Sequence, residues 1–117
     1  MLPTTIFMYT MFMAASYILA GNSSVKVNSI QILKLIEGKN FQLKNKPENN
    51  PDLMEIDLEE DKRSIGIATV RTGIKFVAEK PYQEKHRYLI IYNADKLTAE
   101  AQNSLLKTLE EPPEHTI

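Results

Sequence analysis

The sequence predicts an α/β fold in which parallel strands alternate with flanking helices. Three observations predict it. Two short runs, DLMEID (52–57) and YLIIY (88–92), show the alternation or the continuous apolar character of strands. Residues 67–77 and 98–111 place apolar side chains at spacings of three and four, the period of a helix buried on one side. Strand, helix, strand, helix in this order closes best as a parallel sheet with helices on its faces.

Composition sets the bounds. A chain of 117 residues allows one small domain, and its 43% hydrophobic content is ordinary for a globular core. The net charge is −1, so no global basic field points to nucleic acid. Any DNA contact has to come from local charges or from other chains. With no cysteine, disulfides and thiolate metal sites are excluded. His86 and His115 lie far apart, which argues against a zinc site built on them.

The elements follow in order. Residues 1–25 carry no charged side chain, and 6–20 form a dense apolar run. One reading of that run is a membrane anchor or signal segment. Against it, no Lys or Arg precedes the run, and its length is marginal against the ~20 residues that a span needs. The other reading, and our expectation, is a buried helix ending at Gly21, where glycine suits a helix terminus. Residues 22–50 are polar, with a helix around 30–36, and NKPENNP (45–51) is a turn-rich connector. The strand at 52–57 leads into a charged surface loop, 58–63. In the helix at 67–77, Ile67, Val70, Ile74 and Val77 line one face. Gly73 weakens that helix by ~1 kcal/mol relative to Ala, which points to close packing against a neighbour. Lys80 and Pro81 break it.

After the strand at 88–92, Asn93, Ala94 and Asp95 turn the chain. Thr98 caps the last helix, and Glu100 lies in its first turn, where negative charge suits the positive helix end. Pro112 and Pro113 stop the helix by Glu111. Projected at ~100° per residue, Ala101, Leu105, Leu106 and Leu109 share one arc, with Asn103, Lys107 and Glu110 opposite. Gln102 falls inside the apolar arc. A buried amide without partners costs ~1–3 kcal/mol, so Gln102 is either a core glutamine bonded to nearby backbone or a polar link to a neighbouring site.

The words NSLLKTLEEPPEHT, after a strand and an acidic turn, resemble the clamp-loader branch of the AAA+ family, the bacterial DNA polymerase III subunits of the delta prime and gamma/tau kind. PDLMEID, SIGIATVR and KPYQEKHRYLII fit the same family in the same order. The resemblance runs from about residue 19 onward. LLKTLEEPP is its most specific word. It implies a partial P-loop NTPase-like domain over 1–117, with 22–50 as a cysteine-free counterpart of a zinc module found in relatives. Val27, Ile30 and Leu33 stand roughly where thiolates would be expected, and apolar side chains cannot ligate zinc.

The resemblance also says what is missing. Relatives open with GxxxxGK[ST]. Here Thr4 and Thr5 are the only match to its end, Pro3 stands in place of the Lys, and no glycine precedes it. The family's magnesium-binding Asp and water-orienting Glu, at the end of the central strand, match Tyr92 and Asn93. Neither holds a metal as a carboxylate does. Asp95, farther along, reads as a cap or surface acid. We therefore expect no catalytic residue, no metal and no cofactor in this chain, with ATP and magnesium on partner subunits. This favours the delta prime-like structural branch over the gamma/tau-like motor branch. A gamma/tau-like ATPase cut before its P-loop is an alternative, as is a membrane-anchored or secreted protein with 6–20 as anchor. The resemblance implies a cytoplasmic protein. Its partners would be gamma/tau and delta subunits, the sliding clamp and, through the assembly, primed DNA. Gln102, Lys107, Glu110 and Glu111 are the interface or DNA-proximal candidates.

Overall fold

A computed structural model describes residues 4–11, 16–23 and 28–110. Its elements are strands β1 (Thr4–Met11) and β2 (Ser16–Ser23), helix α1 (Ser29–Glu37), strand β3 (Leu53–Ile56), helix α2 (Ile67–Val77), strand β4 (Arg87–Tyr92) and helix α3 (Ala99–Glu110). The four strands form one sheet in the order β1-β2-β4-β3. β2 and β3 both pair with β4 in parallel, Tyr17 opposite Tyr88 and Leu53 opposite Tyr88. β1 pairs with β2 antiparallel, Thr4 opposite Ser23 and Met11 opposite Ser16.

The amino-terminal expectation is corrected here. The described part of this run, residues 6–11 and 16–20, lies in two strands and not in a helix, and residues 12–15 lie outside the described residues. Thr, Ile, Phe and Tyr make up most of β1 and recur in β2 as Tyr17 and Ile18, and such side chains lose rotamer freedom in a helix while packing well on a pleated surface. The sheet is accordingly mixed, with its parallel part confined to β2, β4 and β3. Thr4 and Thr5, the only match to a phosphate-loop ending, lie in β1 opposite Ser23 and Asn22. None of the described helices is long and apolar enough to cross a membrane.

β4 is the axis of the fold. Tyr88, Leu89, Ile90 and Ile91 are all buried, as expected for a parallel strand covered on both faces. Alternation sends them two ways. Leu89 and Ile91 join Ile18, Ala20, Ile56, Val70, Val77, Ala101 and Leu105 in one core, under α2 and α3. Tyr88 and Ile90 join Ile32, Leu33 and Leu53 in a second core, under α1. The 22–50 segment thus covers the second face through α1, which a capping box at Asn28 and Gln31 starts. α2 fits closely because Gly73 has no side chain: a Cβ there would lie 2.8 Å from a methyl of Leu89 and 3.0 Å from one of Ile56.

The amino ends of β3 and β4 are fastened by Asp52, which is fully buried. Its carboxylate accepts from the backbone N–H groups of Tyr82 (2.6 Å), Gln83 (2.7 Å) and Glu84 (2.7 Å). Arg87 Nε stands 3.3 Å away as an ion pair, without the alignment of a hydrogen bond. Burial opposes the charged form, but the N–H groups of Glu84, Tyr82 and Gln83, aided by Arg87, outweigh it and hold the carboxyl below its usual range. Arg87 is itself seated 4.5 Å over the Phe76 ring and donates to the Phe76 carbonyl at 3.2 Å.

Candidate functional site

In sheets of this kind the carboxyl ends of parallel strands form the crevice where ligands bind. β3 ends at Ile56 and β4 at Tyr92, so Glu55, Asp57, Tyr92 and Asn93 gather there. The Tyr92 hydroxyl donates to Glu55 Oε1 at 2.5 Å. Burial, then the bond to Glu55 and the charges of Glu55 and Asp57, push the phenol far above its ordinary pKa, against a smaller opposing effect of Ser29. The phenol therefore stays a neutral donor. The Asn93 amide donates to Asp57 Oδ1 at 2.7 Å, and the same oxygen accepts from the Leu58 N–H at 2.7 Å.

Asn93 is also the one described non-glycine residue with positive φ, at 54°. Asparagine tolerates this left-handed geometry better than most residues. A 3-10 turn, Ala94–Lys96, follows and carries Asp95. Leu97 then forms a parallel bridge with Ile65. In it the Ile65 N–H donates to the Lys96 carbonyl at 2.8 Å and the Thr98 N–H to the Ile65 carbonyl at 3.0 Å. Thr98 caps α3 as expected, accepting from the Ala101 N–H at 3.1 Å.

Tyr92 and Asn93 thus answer carboxylates and are not carboxylates themselves. Among the described residues no group of His, Cys, Asp or Glu side chains is placed to hold a metal ion. Glu55 and Asp57 were not singled out by sequence reasoning. The available signal was the acid at every second or third position of DLMEID, which places two carboxylates at the strand's end.

The other candidates lie on α3. Gln102 is exposed, contrary to its place in the apolar arc, and its amide donates to the Leu97 carbonyl at 3.4 Å. The physical reason is that the arc is covered only in part. Ala101 and Leu105 are buried, while Leu106 remains 48% exposed. Lys107 is exposed. Glu110 is the last residue of α3, and Glu111 lies outside the described residues. The bonds of Tyr92 and Asn93 run to the β3 side, and that of Gln102 runs back to the start of its own helix.

Comparison with known proteins adds an independent finding. The profile of a family described as "DNA polymerase III, delta subunit" matches residues 11–117. The chain is 41% identical over 68 residues to the DNA polymerase III subunit delta' of Yersinia pestis, covering 58% of this chain and 20% of that relative. It is 39% identical over 54 residues to the subunit of the same name from Haemophilus influenzae, covering 46% of this chain and 16% of the relative. The matched segments therefore span a fifth or less of the length of these curated relatives. No solved structure matches.

Proposed function

The chain belongs to the DNA polymerase III delta subunit family, and from that premise we propose that it serves as a non-catalytic subunit of a replicative clamp loader. In this reading it works in the cytoplasm beside gamma/tau and delta subunits. It supports their ATP-dependent loading of the sliding clamp onto primed DNA. ATP and magnesium belong to the partners. The domain is AAA+-like, with 22–50 taking the place of a zinc module. The match over 11–117 is the observation that carries the reading.

The carboxyl end of β4 supports the non-catalytic part. A magnesium-dependent site needs carboxylates free to ligate. Tyr92 and Asn93 supply a neutral phenol and an amide, and the nearby Glu55 and Asp57 are each engaged by one of them. α3 supports the assembly part: it presents Gln102, Leu106 and Lys107 to solvent, a mixed polar and apolar surface suited to a subunit contact.

The test is to capture the native protein from its source cells and take the intact mass of everything that accompanies it. Co-purifying gamma/tau-like subunits support the reading. A protein that returns alone, at every salt concentration tried, contradicts it.

A further inference from the structure

The turns that leave β3 and β4 meet at two points. The first is Asp57 Oδ1, which accepts from the Leu58 N–H of its own turn and from the Asn93 amide of the other, each at 2.7 Å. The second is the Ile65–Leu97 bridge, with its 2.8 Å and 3.0 Å backbone bonds. Immediately past the second point both helices begin, α2 after Gly66 and α3 after Thr98. Asn93 has a double role in this arrangement. Its left-handed backbone aims the chain into the 3-10 turn, and its side chain ties that turn to the end of β3.

We propose that Asn93 and Asp57 form a pin that couples the two turns, sets the start of α3 against α2, and makes the two helices present their outer faces as one body. Asn93 is a positioning residue in this account and takes no part in chemistry. The pin lies outside the two cores, so it governs local opening more than global stability. The inference stands on geometry alone and holds whether or not the chain joins a clamp loader.

Hydrogen exchange on the full chain tests it. Asn93→Gly keeps the left-handed backbone accessible and removes the amide. It should raise exchange at the Ile65 and Thr98 amides by about 3- to 10-fold, the loss expected for one hydrogen bond, while the amides of Leu89 and Ile91 change less. Asp57→Ala should do the same. The double variant should match Asp57→Ala, because that variant already lacks the Asn93–Asp57 bond and Asn93→Gly then has no pin left to remove. Asp57→Asn, which retains an acceptor oxygen, should stay near the parent. Unchanged exchange at Ile65 and Thr98, a uniform rise across all amides, or additive effects in the double variant would each overturn the proposal.

Discussion

The two ends of the β3–β4 pair both gather carboxylates, and they differ in what answers them. At the amino end Asp52 is fully buried and faces three backbone N–H groups and a guanidinium. At the carboxyl end Glu55 and Asp57 are exposed, and a phenol and an amide answer them. A buried charge has to be fully paired to persist, so the amino end is committed to holding the fold. Exposed carboxylates bind water at little cost, so the carboxyl end is free to vary. Buried pairing is concentrated at one end, and exposed carboxylates at the other.

The largest expected effect comes from breaking the amino end. Asp52→Ala leaves Arg87 and three N–H groups without their acceptor, and should cost about 3–5 kcal/mol in denaturant unfolding. A loss below that of an ordinary surface substitution would erase the contrast between the ends.

Acid sharpens the same point. The Asp52 carboxyl sits below its usual range in the folded chain, so the unfolded chain takes up the proton first. The stabilisation is therefore present above the unfolded value of about 4, and is lost as pH falls through the folded one. Asp52→Asn should flatten the acid limb of a stability–pH curve. An unchanged limb would assign acid sensitivity to other groups.

Between the two ends, Gly73→Ala tests the close fit of α2 on the sheet. A gain of ~1 kcal/mol in helix propensity meets an overpacking penalty of ~1–3 kcal/mol, so a net loss of about 1 kcal/mol is expected in thermal unfolding. A net gain would show that Leu89 and Ile56 yield easily.

The smallest effect belongs to the carboxyl end. Tyr92→Phe removes one bond to an exposed carboxylate and should cost about 0.5–1 kcal/mol. A loss matching that of Asp52→Ala would make both ends structural.

Much of this was legible in the sequence, and the failures share a cause. The helix at 67–77, the Thr98 cap and the tight contact at Gly73 follow from period, capping chemistry and the absence of a side chain, all local signals. The strand at 88–92 was legible for the same reason, because an unbroken apolar run suits a strand covered on both sides. Residues 6–20 misled because a dense apolar run has no clear period, and strand and helix are then separated only by β-branched and aromatic content. Gln102 and Leu106 misled because periodicity shows which side chains share an arc, not how much of that arc a neighbour covers. Asp52 was hidden at the edge of a strand word. Its partners are 30 or more positions away, and no local pattern announces such a network.

The role proposed for this chain is assembly without nucleotide chemistry of its own. The most direct measurement is a calorimetric titration of the full chain with magnesium-ATP, followed by an assay for phosphate release. The account predicts no saturable binding heat and no turnover above background. Saturable binding with phosphate release by the chain alone would contradict it.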